Sequence, residues 1–446
     1  MGRYFGTDGI RGKVNDKLTS QLAHDLGLAV GKMLNEINGQ GSKTVVIGRD
    51  SRNSGTMLEH ALSSGLMAQG YHVLSLGQIP TPAIAYLTRY YKARLGVVIS
   101  ASHNPYWDNG IKFFDHEGKK LRDDLEHLIE TYLEEDFTLE TSVENIGQYT
   151  IETEGKEIYK TFLKDQYEHF GKKKKVILDM ANGASSGLAD ALFRDLGLEV
   201  IAIGDSPDGI NINDHCGSTH LEALKEKVQN ERADFGFAFD GDADRFLAID
   251  EYGEVLDGDI LLYIYAIYLK ERHALANNTL VATVMSNLGL RKALEVADIT
   301  FVETAVGDRF VSQGMQEHQA NLGGEQSGHL IFSEYNTTGD GLLSAIMLLN
   351  VIFSSDKPLS ELRKSLKLYP QVLVNVNVKN KDGWESNTAI KDEIKKQETS
   401  LGGEGRILVR ASGTEPLIRV MIEGKDQEKI EVMAKELADF IGKVLG

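Results

Sequence analysis

Lys175-Val176-Ile177-Leu178-Asp179-Met180-Ala181-Asn182-Gly183-Ala184-Ser185-Ser186 decides the fold: a short apolar run ends in an aspartate, then in a turn of small and polar residues. A run without polar alternation reads as a strand buried on both faces, and the glycine-bearing turn after it is where a helix opens. The same phrase recurs as Thr44-Val45-Val46-Ile47 before Gly48-Arg49-Asp50-Ser51-Arg52-Asn53-Ser54, and as Thr279-Leu280-Val281-Ala282 before Val284-Met285-Ser286-Asn287-Leu288-Gly289. Leu95-Gly96-Val97-Val98-Ile99 is a further buried strand. Strand–turn–helix units repeated in this style predict three similar α/β domains with mixed, largely parallel sheets.

From about residue 366 the pattern changes. Gln371-Val372-Leu373-Val374-Asn375-Val376-Asn377-Val378 alternates at period two, as a half-exposed strand does. Arg406–Arg410 and Leu417–Ile422 flank a tight Ser412-Gly413-Thr414 turn, and a closing helix carries Ile430, Met433, Ala434 and Leu437 on one face. This predicts a C-terminal α+β domain with an antiparallel sheet. The expected domains are 1–150, 151–252, 253–365 and 366–446.

The 446 residues exceed one ordinary core and fit three or four domains. With 48 basic and 66 acidic side chains the net charge is -18, which repels nucleic acid and anionic lipid. An anionic ligand must then be gripped by local clusters of Arg, Lys and backbone N–H groups. Cys216 is the single cysteine, so no intramolecular disulfide can form and a Cys-based zinc cage is excluded. It reads as a packing residue, with a reactive thiol as the alternative. No signal-peptide pattern or bilayer-length apolar run is seen, and Gly6 breaks the myristoylation motif begun by Met1-Gly2, so a cytoplasmic location is expected.

Four motifs carry chemistry. Asp240-Gly241-Asp242-Ala243-Asp244-Arg245 lies between two strand-like runs and places three carboxylates at alternate positions. Their repulsion favours a bound hard cation. An EF-hand is excluded because its turn glycine would fall at Arg245, and a solvated acidic turn is the other alternative. Ser102, in Ser100-Ala101-Ser102-His103-Asn104-Pro105, follows a buried strand, where open α/β sheets place ligands. His103 and Lys112 follow it. Sequence order alone leaves Ser102 balanced between a reacting serine and a turn serine, and the acyl-transfer elbow motif is absent. Arg410-Ala411-Ser412-Gly413-Thr414-Glu415-Pro416-Leu417-Ile418-Arg419 brackets a turn with two arginines, a pattern suited to gripping phosphate. In Gly323-Gly324-Glu325-Gln326-Ser327-Gly328-His329, Glu325 and Ser327 are able to hydrogen-bond sugar hydroxyls, though alone this is a plain glycine-rich loop. Neither a P-loop nor a dinucleotide fingerprint is present.

These motifs in this order resemble the α-D-phosphohexomutase superfamily over essentially the whole chain. Arg3–Gly12, Thr304–Phe310, Gly324–His329 and Tyr335–Gly341 look like its glucosamine-phosphate branch. The resemblance implies four domains around a cleft and interconversion of glucosamine 6-phosphate and glucosamine 1-phosphate, toward UDP-N-acetylglucosamine and the cell wall. It implies Ser102 as the phosphate carrier and glucosamine 1,6-bisphosphate as intermediate and activator. It implies one magnesium ion per subunit on Asp240, Asp242, Asp244 and the phosphoserine oxygen. Glu325 and Ser327 would read the sugar. Arg410, Ser412, Gly413, Thr414 and Arg419 would hold the idle phosphate, with Arg11, Lys112, His103, Arg245 and His329 around the reacting centre. It further implies a small-molecule phosphosugar as partner and a homodimer through the first domain, with no nucleic acid and no membrane. The alternatives are a phosphomannomutase or phosphoglucomutase of the same superfamily, and a non-catalytic phosphosugar sensor.

Overall fold

The computed structural model describes residues 3–6, 8–37, 42–135, 141–169, 171–381, 383–411 and 417–446. Among the described residues there are four sheets in sequence order, three mixed and one antiparallel. The chain forms two compact units, Met1–Met285 with Asp298–Ser365, and Ser286–Ala297 with Leu366–Gly446.

In the first unit the leading sheet runs Phe5–Gly6, Gly9–Lys13, Asp108–Phe114, Leu95–Ile99, Thr44–Arg49, His72–Gln78, Tyr149–Ile151. The neighbours of Thr44–Arg49 and the Tyr149–Ile151 edge are parallel, whereas the strands from Leu95–Ile99 to Phe5–Gly6 pair antiparallel. Leu95–Ile99 is buried along its whole length, as its unbroken apolar run requires. Helices Ser20–Glu36 and Asn53–Ala68 pack against each other, and Leu26, Met33, Leu58, Leu62 and Leu66 join the sheet in one core.

The second sheet runs Val255–Leu256, Phe246–Asp250, Phe235–Phe239, Lys175–Asp179, Glu199–Ile203. Its edge strand Val255–Leu256 lies beyond the expected boundary at 252. The third runs Thr300–Thr304, Thr279–Thr283, Leu322–Gly324, Leu330–Phe332. Helix Gly341–Ser355 is apolar nearly all round and buried accordingly, and Asp340 caps it by accepting from Leu343 N.

The second unit holds the antiparallel sheet Gln371–Asn377, Leu417–Gly424, Gly405–Ala411. Helix Gln427–Leu445 covers one face through Ile430, Met433, Ala434 and Leu437. Helix Leu288–Val296 also belongs to this unit, although it follows a strand of the third sheet. Leu288 N donates to Glu423 Oε2 at 3.2 Å and Asn287 Nδ2 to Tyr369 O at 2.9 Å.

Candidate active site

The serine loop is built on the carboxyl end of Leu95–Ile99. Ser100 Oγ donates to Asp50 Oδ2 at 2.5 Å and accepts from Ser102 N at 2.9 Å. Ser102 is 1% exposed and takes φ +51°, the left-handed region that a non-glycine residue rarely adopts. Two donors grip its carbonyl, Arg52 Nη2 at 3.2 Å and Asn213 Nδ2 at 2.9 Å. Both also reach Asn104 O. Arg52 is itself buried and paired with Asp50, so the platform under the serine is an internal ion pair rather than a mobile surface one. Ser102 Oγ is thereby delivered to Asp240, donating to Oδ2 at 2.6 Å, with His103 Nδ1 at 3.3 Å.

Asp240 opens the connection between Phe235–Phe239 and Phe246–Asp250, which pair antiparallel with Phe239 opposite Phe246. Ala243 N donates to Asp240 O at 3.0 Å, curling the loop so that ligand atoms of Asp240, Asp242 and Asp244 all fall within 4.8 Å of one another. All three are buried. Burial lifts Asp240 well above the usual carboxylate range, and Asp244 and Asp242 push it further. Asp244 is raised too, by burial and then by Asp242. Burial also opposes charge on Asp242, but Lys112, the Thr81 hydroxyl and Arg11 outweigh it and hold this group below the range. The Oδ1 atoms of Asp242 and Asp244 are buried without a hydrogen-bond partner. Closely set carboxylates with orphaned oxygens, and no nitrogen or sulfur donor among them, fit a hard divalent cation.

Cations ring this triad. Lys112 sits opposite Val98 in the sheet, and its Nζ lies 3.0 Å from Asp242 Oδ2 and 3.0 Å from Asp8 Oδ2. Burial disfavours its charge, yet Asp242 and Asp8 overcome that and keep it protonated beyond the ordinary lysine range. The two flanking carboxylates therefore favour the charged form of Lys112. Arg11 pairs with Asp8, and Arg245 N donates to Asp240 Oδ1 at 3.2 Å. Burial, with Arg245 and Arg11 nearby, lowers His103 to about 4, so its ring is neutral at physiological pH.

The glycine-rich loop joins this assembly. Its turn is closed by Gly328 N donating to Glu325 O at 3.0 Å, and Phe246 N donates to Gly328 O at 3.0 Å. Gly328 has φ +91°, and a β-carbon there would lie 2.3 Å from Phe246 O. Only glycine allows this seam, which pairs Arg245 with His329 across a β-bridge. His329 is buried, with Nε2 3.8 Å from Asp244 Oδ2. Glu325 Oε1 accepts from Gly307 N at 3.1 Å, and Ser327 is exposed at the tip. A cavity of about 1110 Å³ is lined in part by Asp8, Lys112, Asp244, Asp308, Arg309 and His329.

Three of the four motifs thus meet, although Ser102 and Asp240 are 138 residues apart in sequence. Arg410 and Arg419 lie in the other compact unit, directly opposite each other on adjacent strands. Burial and then Arg419 lower the Arg410 pKa. Like charges facing across a sheet are unfavourable, an arrangement that a bound anion relieves. Ser412, Gly413 and Thr414 lie outside the described residues.

Sequence reasoning missed Asp50 and Arg52, Thr81, Asn213 and Asp8 as site residues. Thr81 Oγ1 donates to Asp242 Oδ2 at 2.7 Å. One signal was available for the first pair: Asp50 and Arg52 follow strand Thr44–Arg49, which neighbours the serine strand, so the two loops must adjoin. Nothing in the sequence marks Asn213.

Four models of phosphoglucomutase/phosphomannomutase match the chain: α/β/α domain I over residues 2–139, domain II over 157–253, domain III over 257–369 and the C-terminal domain over 373–440. The chain is 50% identical over 447 residues to a phosphoglucosamine mutase of Shouchella clausii, covering 100% of both. It is 49% identical over 449 residues to that of Clostridioides difficile, again covering 100% of both. Among solved structures, a phosphoglucomutase/phosphomannomutase family protein of Burkholderia thailandensis superposes with a TM-score of 0.81 at 23% identity, covering 99% of this chain and 98% of that one. An N-acetylphosphoglucosamine mutase of Aspergillus fumigatus, solved with GlcNAc-6P and magnesium, superposes with a TM-score of 0.70 at 17% identity, covering 100% and 96%.

Proposed function

The chain belongs to the phosphoglucomutase/phosphomannomutase family, and from that premise we propose that it catalyses the phosphoglucosamine mutase reaction. It interconverts glucosamine 6-phosphate and glucosamine 1-phosphate through a phosphorylated Ser102 and a glucosamine 1,6-bisphosphate intermediate, supplying UDP-N-acetylglucosamine and cell-wall precursors. The observation that supports this reading best is the placement of Ser102 Oγ, 2.6 Å from Asp240 Oδ2 at the edge of the aspartate triad. A turn serine has no need of a buried carboxylate cluster.

Asp240, Asp242, Asp244 and an oxygen on Ser102 would hold one magnesium ion per subunit, which offsets charge on the transferring phosphoryl group when bound. The magnesium found with the Aspergillus relative supports that choice of ion. In the first half-reaction the sugar hydroxyl oxygen bonds to phosphorus as the bond from phosphorus to Ser102 Oγ breaks. The hydroxyl proton is released and Ser102 Oγ gains one. His103, with Nδ1 at 3.3 Å from that oxygen, is placed to move it. Lys112, Arg11 and Arg245 neutralise the phosphoryl oxygens, the dominant task in phosphoryl transfer, and His329 closes the site behind Asp244. Glu325 and Ser327 bind sugar hydroxyls, while Arg410, Ser412, Gly413, Thr414 and Arg419 hold the idle phosphate. The second half-reaction returns the other phosphate to Ser102. A cytoplasmic homodimer formed through the first domain, with domains ending near 150, 252, 365 and 446, completes the proposal.

Side-by-side assays of glucosamine, glucose and mannose 6-phosphates test the sugar. Glucosamine is expected to turn over fastest, and equal turnover of mannose would overturn the assignment. Peptide mass spectrometry is expected to find a phosphoryl group on Ser102, absent from a Ser102→Ala protein that has lost the activity. Full activity in that variant removes the mechanism.

A further inference from the structure

We propose that Asp8 is a positioning residue that sets the charge balance of the phosphate-binding centre, a role that rests on the phosphoryl-transfer reading. The observation is a chain of alternating charges. Asp242 Oδ2 lies 3.0 Å from Lys112 Nζ, which lies 3.0 Å from Asp8 Oδ2. Asp8 Oδ1 lies 2.8 Å from Lys120 Nζ, which lies 3.2 Å from Asp308 Oδ1. Arg11 pairs with the same Asp8 carboxylate. One aspartate therefore faces three cations, two of which project into the centre where phosphate must react.

Regular structure adjoins both ends of this chain of charges. Asp8 directly precedes strand Gly9–Lys13, which pairs with the Lys112 strand, Ile10 opposite Ile111. At the far end, Asp308 begins helix Asp308–His318 directly after Gly307, whose N–H binds Glu325. Asp8 thus ties the cations of the first domain to the loop assigned to the sugar.

With Asp8 present, Lys112 and Lys120 each stand between two carboxylates and are fixed midway. Without its charge, three cations face one another. Lys112 then shifts toward Asp242 and Asp244, away from where the phosphoryl oxygens need it, while the local field becomes more positive. An anion binds more tightly in such a field but is met by displaced groups. Binding and turnover therefore move in opposite senses, which loss of folding does not produce.

The test compares the full-length wild type with Asp8→Asn and Asp8→Glu, using inorganic phosphate as the binding probe in calorimetry and glucosamine 6-phosphate in steady-state kinetics. Asp8→Asn is expected to bind phosphate about tenfold more tightly, with kcat down at least about tenfold and KM no higher. Asp8→Glu is expected to restore most of kcat and the weaker phosphate binding. A partly unfolded Asp8→Asn sample lowers kcat but leaves the phosphate Kd unchanged, so unchanged or weaker phosphate binding overturns the proposal. So does an Asp8→Glu protein no better than Asp8→Asn. If the wild type fails to turn over glucosamine 6-phosphate, the sugar assignment falls, while the phosphate titration still decides the role of Asp8.

Discussion

Gly241 is where the aspartate loop touches the serine loop, and it offers the sharpest perturbation. A β-carbon at this residue would lie 2.6 Å from Ser102 O, 2.8 Å from Asn213 Nδ2 and 2.8 Å from Ile212 Cδ1. Ordinary contact begins at 3.4 Å, so the carbonyl or the loop must retreat by about 0.8 Å, the difference between those two distances. The carbonyl is not free to do so, being held by Arg52 and Asn213. The displacement falls on Ser102 or on Asp240, the two groups whose 2.6 Å contact defines the centre. Overpacking of this kind costs about 1–3 kcal/mol, and a misplacement near 1 Å costs roughly 100-fold in rate. Gly241→Ala is expected to lower the melting temperature by a few degrees and kcat by about 100-fold, with KM for glucosamine 6-phosphate little changed. The paired measurement is a coupled mutase assay and a thermal melt on the same preparation. Wild-type kcat in this variant, whatever its melting temperature, would refute the claim that the close approach positions the serine.

Other expectations follow from separate parts of the molecule. Arg52→Ala leaves Asp50 buried without its partner and is expected to destabilise by about 3–5 kcal/mol, read as a shifted denaturant midpoint; an unchanged midpoint would mean the pair does not hold the platform. Magnesium added to chelator-treated protein is expected to raise stability by about 2.7 kcal/mol at a hundredfold excess over Kd, and Asp242→Asn to abolish the response; a flat melting curve for the wild type counts against the metal site. Burial, then Asp179 and Asp214, lift the Cys216 thiol to about 12, and the thiolate is the reacting form. Iodoacetamide labelling of the native protein at pH 8 is therefore expected to run about 10³-fold slower than in denaturant and to keep climbing with pH toward 12. Equal rates in the two states would show the thiol to be exposed.

Much of the fold was legible because buried strands announce themselves. Lys175–Asp179, Thr44–Arg49, Leu95–Ile99 and Thr279–Thr283 are strands at the expected positions, since an unbroken apolar run can satisfy its backbone and bury both faces only in a sheet interior. Edges were less legible. Val255–Leu256 joins the second sheet with two residues, too few to show a period. Helix Leu288–Val296 reads as an ordinary crossover of the third domain, and nothing in its letters assigns it to the C-terminal unit; the bond from Leu288 N to buried Glu423 does.

At the site, residue type and local order in the chain singled out Ser102 and the aspartate loop as chemistry-bearing, because three alternate carboxylates in a short loop are costly without a cation. They left the serine balanced against a plain turn residue. Tertiary structure decided where that serine lies, bringing Ser102 Oγ to Asp240 and fixing its unusual backbone with Arg52 and Asn213, donors from two different domains. It also decided the surroundings of Lys112, because only folding sets its Nζ between Asp8 and Asp242. Composition and spacing act over a few residues, whereas the charge on a buried group is set by whatever the fold places within a few ångströms of it.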